Sequence, residues 1–177
     1  MEEQKSGVLV AYFSRAGEQY GVGNIAKGNT QIAAEIIAKK LGADIFEIAP
    51  ATDSYPKTYA ELIEFAKRQK QKSERPPLKN SADIGAYKAV FLGYPNWWGD
   101  IPMPVYTFLE SLDFSGKSIA AFCTHEGSGI GSTAKKISAA AKGAEMLAGF
   151  EIYGHTVQND PSAAEREISN WLAKIGF

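Results

Sequence analysis

The stretch GYPNWWGDIPMP, Gly93 to Pro104, decides how this chain is read. It grows out of the apolar run AVFLGYP (89–95) and sets two adjacent tryptophans, a glycine and an aspartate between prolines. Core tryptophans fall on a helical or strand period. A pair side by side between Pro95 and Pro102 reads instead as a stiffened loop at the carboxyl end of a strand, the place where open α/β sheets bind ligands.

The same kind of run recurs on both sides of this loop. Gly7-VLVAYF-Ser14, Lys88-AVFLGY-Pro95 and Lys117-SIAAFC-Thr124 are unbroken apolar runs of strand length, the mark of strands covered on both faces. Ala43-DIFEI-Ala49 alternates and reads as a second strand in chain order, and Ala144-EMLAGFEIYG-Gly154 as a weaker fifth. Between them lie helical periods: Ile32, Ala33, Ile36, Ile37 and Leu41, closed by Gly42; Tyr59, Leu62, Ile63 and Ala66; Val105, Phe108, Leu109 and Leu112; Ile130, Ala134, Ile137 and Ala141; Ile168, Trp171, Leu172 and Ile175. Strand and helix thus alternate five times. That order predicts an α/β three-layer sandwich with a parallel sheet and right-handed crossovers, and a length of 177 residues is read as one domain, 1–177.

Composition removes several function classes. The formal net charge is -1, so no nucleic-acid footprint shows, and the basic run KRQKQKSER (67–75) reads as a solvated helix end. The opening MEEQKSG lacks the apolar stretch of a signal peptide, and no run approaches transmembrane length. The expectation is a cytoplasmic protein with no membrane and no nucleic-acid partner. Cys123 is the single cysteine, which rules out an intrachain disulfide or a thiolate metal cage. Cys123 and His125 share a strand face, but a lone thiol there reads as a small buried hydrophobe. No H-E-x-x-H, C-x-x-C or G-x-S-x-G occurs, so no metal site and no hydrolase is expected. Gly21-VGNI-Ala26 fits G-x-G-x-x-A, yet it begins eight residues beyond Phe13, and a dinucleotide site needs that turn immediately after the strand.

Two connections are long, 15–29 and 73–87 (SERPPLKNSADIGAY), and loops of that length are uncommon unless functional or disordered. The first leaves a strand at Ser14-Arg15-Ala16-Gly17 and enters its helix through Gly28-Asn29-Thr30. Hydroxyls, glycines and free amides at a helix N-terminus suit a phosphate. The strand ending at Thr124 continues as His125-Glu126-Gly127-Ser128-Gly129. Three strand ends of this character converge on one cleft.

These residues resemble the flavodoxins, in a flavodoxin-like oxidoreductase branch. The arrangement is Y-F-S-x-x-G…G-N-T, then G-Y-P-x-W-W-G-x-x-P, then T-H-x-G-S-G, and it covers the chain from Val8 to about Phe177. The resemblance implies a flavodoxin-like five-stranded parallel sheet in the order 2-1-3-4-5, with FMN at the switch between strands one and three. It places Ser14, Arg15, Ala16, Asn29 and Thr30 round the FMN phosphate, Ala16 through its backbone alone. It places Pro95, Asn96, Trp97, Trp98 and Gly99 against the isoalloxazine, with Thr124, His125, Gly127, Ser128 and Gly129. A flat ring needs an apolar wall, and an indole offers the largest π face for one. The sequence departs from the compact family turn S-x-T-G-N-T through the insertion EQYGVGNIAK, whose Tyr20 is read either as part of a lid or as part of a surface extension. Asp100 and Glu126 are expected beside the ring, where they would disfavour its reduced, anionic form.

Two function classes remain open for such a protein. An enzyme would take electrons from a reduced nicotinamide and reduce a small-molecule acceptor such as a quinone. A carrier would exchange electrons with a redox partner protein and have no small substrate. Carriers of this kind are typically acidic, which steers them to basic reductases; the near-neutral charge weakens that reading without removing it.

Overall fold

The computed structural model describes residues 7–177, so the expectation drawn from the opening MEEQKS segment lies outside the described residues. In chain order the elements are β1 (Val8–Tyr12), β2 (Gly17–Gln19), β3 (Gly23–Ile25), α1 (Asn29–Leu41), β4 (Asp44–Glu47), α2 (Tyr59–Gln71), β5 (Ala89–Pro95), α3 (Met103–Glu110), β6 (Ser118–His125), α4 (Thr133–Ala140), β7 (Glu145–Met146), β8 (Phe150–Tyr153), α5 (Gly154–Asn159) and α6 (Pro161–Lys174).

The unbroken apolar runs form the middle of the sheet. β1, β5 and β6 are buried along nearly their whole length, as strands covered on both faces must be. β4, which alternates buried-side and exposed residues, lies at the edge. The order is β4-β1-β5-β6-β7, with β8 also paired to β6, and all these pairs are parallel. The resemblance implies five strands; the sheet has six, because the last position is filled by two short strands. Between Ile119↔Met146 and Phe122↔Phe150 the β6 chain advances three residues and its partner four. That single extra residue is a bulge. It turns the Ala148 carbonyl off the ladder to accept the Trp171 indole N–H at 2.8 Å.

Helices cover both faces. On one, Val10, Tyr12, Phe91 and Phe122 meet Ala34 and Ile37 of α1 and Ile168, Trp171 and Leu172 of α6. On the other, Leu9, Ala11, Val90 and Leu92 meet Leu62 of α2, Val105 and Phe108 of α3 and Ile137 of α4. α1 ends where expected: Gly42 takes a left-handed φ of 57° and returns its N–H to the Ala38 carbonyl. Asp160 caps α6 by accepting the Ala163 N–H, with Pro161 at the first helical position. Because every strand of this sheet points the same way, the loops after β1, β5 and β6 emerge at one edge.

Candidate functional site

The turn after β1 is stitched to the start of α1. Ser14 Oγ accepts the Gln31 N–H at 3.1 Å, and Gly28 O accepts the Ile32 N–H. The amides of Asn29 and Thr30 have no acceptor among the hydrogen bonds of the described residues. No acidic side chain lies in this first turn, so the positive end of the helix stays uncompensated. Gly28 is required by contact: a Cβ there would lie 2.6 Å from the Arg15 carbonyl oxygen and would strike Ser14 Oγ. Thr30 and Thr124 are both buried and share a hydrogen bond of 2.7 Å, tying the start of α1 to the end of β6. Arg15 turns elsewhere. Its guanidinium binds Asp53 at 2.8 Å and lies 5.0 Å from the centre of the Tyr55 ring, while its buried Nε has no partner.

After β5 the chain makes a tight two-residue turn. Trp97 and Asp100 exchange both backbone hydrogen bonds, at 3.0 and 3.1 Å, round Trp98 (φ 57°) and Gly99 (φ 68°). Positive φ at both central residues is the type I′ pattern, which a tryptophan adopts only at a cost of about 1–2 kcal/mol. The strain separates the two indoles. Trp97 packs edge-on to Phe13 at 5.2 Å and against Tyr55, joining the core. Trp98 is 46% exposed, donates its indole N–H to the Ile63 carbonyl at 2.8 Å, and lies 5.1 Å from the Lys67 ammonium. Asn96 braces the turn: Nδ2 donates to Gly129 O, and Oδ1 accepts the Gly99 N–H. Asp100 does not face the cleft as expected. Its buried carboxylate accepts from the Ile101 N–H and the Tyr106 hydroxyl and pairs with Lys136 at 2.9 Å and Lys70 at 3.9 Å. Burial, and then the bond to Asp100, raise the Tyr106 phenol well above its ordinary range.

After β6, Gly127 donates its N–H to His125 Nδ1 at 2.9 Å. The bond fixes Nδ1 as acceptor and leaves the proton on Nε2, a donor for whatever enters. Burial pushes the neighbouring Cys123 thiol up to about 12 and keeps it neutral, so it is no nucleophile.

These loops line a cavity of about 540 Å³, within the range of small-molecule sites. Asn29, Pro95, Asn96, Trp97, Trp98, Gly99, Thr124, His125 and Ser128 are among its walls. Ser14, Arg15, Ala16, Thr30, Gly127 and Gly129 are not, although they adjoin residues that are; Arg15 and Ser14 border a separate cavity of about 440 Å³ beside β4. Of the remaining walls, the sequence pointed to Tyr20 and Glu126 and missed the others. The 15–29 insertion is the antiparallel hairpin β2–β3, whose Gln19 and Tyr20 enter the lining. Glu18 accepts the Tyr59 N–H at 3.0 Å and Tyr20 lies 6.0 Å from the Tyr59 ring, so the hairpin docks on the first turn of α2. From α2 come Tyr59, Leu62, Ile63 and Ala66, a face whose period alone suggests only core. Gln19 Nε2 is buried without a partner. Among the described residues no cluster of His, Cys, Asp and Glu is arranged for a metal, and no helix is long and apolar enough to cross a membrane.

Fold and site together define a class: a parallel α/β domain with an aromatic-walled cleft beside an open helix N-terminus, the layout of a mononucleotide binder. The flavodoxin family model matches residues 7–175, and the chain belongs to the flavodoxin family. Among solved structures it is similar to a protein of Bacteroides eggerthii DSM 20697 classed as a flavoprotein, at 30% identity and TM-score 0.73, covering 96% of this chain and 98% of that one. It is also similar to the flavoprotein of Lactobacillus acidophilus NCFM in complex with FMN, at 19% identity and TM-score 0.63, over 84% and 93% of the two chains. Oxidised flavodoxin 2 of Bacillus cereus shares the fold at 18% identity and TM-score 0.54, over 95% and 96%. No curated protein matches the chain.

Proposed function

We propose that residues 7–177 act as one FMN-binding unit, working in the cytoplasm, that takes electrons from a reduced nicotinamide and passes them to a small acceptor of the quinone class. The residues present fit FMN. The unsatisfied amides of Asn29 and Thr30 and the dipole of α1 suit its phosphate, with Ser14 holding the turn. Trp97 and Trp98 supply apolar wall, while the unpartnered Gln19 amide and the His125 Nε2–H supply donors for the acceptor-rich edge of the ring. Family membership and the FMN complex of the L. acidophilus relative support the same cofactor. Bound FMN supplies hydride and single-electron chemistry; the chain supplies position, shielding and a route for small molecules.

The observation that carries the enzyme reading is the second wall. A carrier needs one exposed flavin edge and no substrate room, whereas here the hairpin and the α2 face extend the cleft beyond the three strand-end loops. The net charge of -1 adds little steering toward a basic reductase. Stopped-flow mixing of the FMN-loaded protein with NADH or NADPH alone tests this. Saturable reduction, followed by reoxidation with a quinone, is the expected result. Reduction only through a flavoprotein reductase would make the protein a carrier between partners.

Trp98→Ala separates wall from scaffold. Losing a stacking indole should weaken FMN by about 0.5–1.5 kcal/mol, up to about tenfold in Kd. Stability should change little, because Trp98 is half-exposed and alanine leaves the turn intact. Fluorescence titration and urea melts read the two effects separately. Unchanged affinity with a collapsed fold would show the indole to be a structural strut through its Ile63 bond.

A further inference from the structure

Glu126 and His155 form a pair that no core cluster uses. The Glu126 carboxylate lines the cavity. Its Oε1 accepts the His155 backbone N–H at 2.7 Å, and its Oε2 meets His155 Nδ1 at 2.7 Å. The two side chains are 15% and 50% exposed, so the pair runs from the cavity wall to solvent. Its seat is close-fitting. A Cβ on Gly154 would lie 2.7 Å from Oε1, and one on Gly21 would lie 2.9 Å from Glu126 Cδ, so α5 and the hairpin tip both press on the carboxylate.

Other groups face the pair. The Tyr153 ring lies 4.9 Å from His155 and 4.5 Å from His125. From α1, Asn29 approaches the same Gly154, and Gln158 links Asn29 to the Lys27 carbonyl. Lys27 is itself paired with Glu35 at 2.7 Å. From the hairpin, Gln19 and Tyr20 share the cavity lining. His155 is thus the one of these groups that contacts Glu126 directly through an ionisable side chain.

We infer that Glu126 relays protons from His155 into the cleft; the assignment rests on the reductase reading. A quinone becomes a quinol by gaining two electrons and two protons. FMN, when bound and reduced, would supply a hydride, which amounts to both electrons and one proton. The second proton comes from the His155 imidazolium: its Nδ1–H bond breaks as Glu126 Oε2 takes the proton, and that O–H bond breaks in turn as the quinol O–H forms. Water then reprotonates the imidazole.

The test compares FMN-loaded wild type, Glu126→Gln and His155→Gln, reduced without oxygen and then mixed with 1,4-benzoquinone or with ferricyanide. Ferricyanide takes electrons alone, so it reads redox competence independently of proton delivery. The quinone-to-ferricyanide rate ratio should fall about a hundredfold in Glu126→Gln and about tenfold in His155→Gln. A solvent deuterium isotope effect on the quinone step should accompany the wild-type reaction. In the apoprotein, backbone amide exchange at His155 should rise in Glu126→Ala. A Glu126→Gln rate ratio equal to the wild type's, or His155 exchange indifferent to Glu126, would overturn the assignment. A wild type that reacts with ferricyanide but not with quinone would overturn the reductase reading, and the assignment with it.

Discussion

Trp171→Ala should cost about 3–5 kcal/mol of folding free energy, the effect of removing a large aromatic side chain from a core. Trp171 is 5% exposed and stacks on Phe150 at 5.0 Å and 14°. It also packs edge-on to Phe91 at 5.5 Å, and its N–H satisfies the Ala148 carbonyl displaced by the bulge. Alanine would leave both a void and an orphaned acceptor beneath the last strand. For a chain of this size the loss corresponds to a fall in Tm of about 6–20 °C. Urea or thermal melts read it directly. Because Trp171 lies on the α6 face and is no part of the cleft lining, FMN affinity of the folded fraction should not change. A melt indistinguishable from wild type would mean that the last strand and α6 are not packed as described.

Gly28→Ala should act at the turn before α1 rather than in the core. The Gly28 backbone, at φ -64° and ψ 150°, is open to alanine, so the effect is one of space alone. The added methyl would meet backbone at Arg15 and the hydroxyl of Ser14, and only the latter can swing away. Parting the turn from α1 should cost about 1–3 kcal/mol of stability, as overpacking does. Each charge-assisted bond lost to the phosphate is worth about 1.5–3 kcal/mol, so FMN should weaken about tenfold to a hundredfold. Riboflavin, which lacks the phosphate, should be affected far less. Equal weakening of both ligands would mean that the substitution disturbs the ring site rather than an anion site.

How legible this was in the sequence depended on the length scale of each signal. β1, β5 and β6 show as apolar runs because central parallel strands are buried on both faces, and the flanking helices show by their period. The last strand did not show as two, because a bulge depends on register against β6 and the apolar pattern passes through it. The hairpin β2–β3 stayed hidden since two three-residue strands rich in glycine have no period to detect. α5, with the sequence GHTVQN, has too few apolar residues to announce a helix, and with it His155 was missed.

At the site, the strand-end loops were readable but side-chain directions were not. Adjacent tryptophans look alike in sequence, and only the strained turn sends Trp97 inward and Trp98 to the rim. Asp100 was expected at the ring, but Lys70 and Lys136, far off in the chain, hold it inside. Arg15 is expected at the phosphate; the partner its guanidinium has here, Asp53 in the loop after β4, could not be read from the sequence. The α2 face of Tyr59, Leu62, Ile63 and Ala66 was legible as apolar. An apolar period says that a face is covered, not whether protein or ligand covers it.

Phosphate recognition by the protein is read most directly by titration of the apoprotein with FMN and with riboflavin, followed by flavin fluorescence. The two ligands share the ring and differ by the phosphate that the open turn of α1 is proposed to hold. Two charge-assisted bonds should favour FMN by about 3 kcal/mol or more, at least a hundredfold in Kd. Equal affinity for riboflavin and FMN would contradict the account.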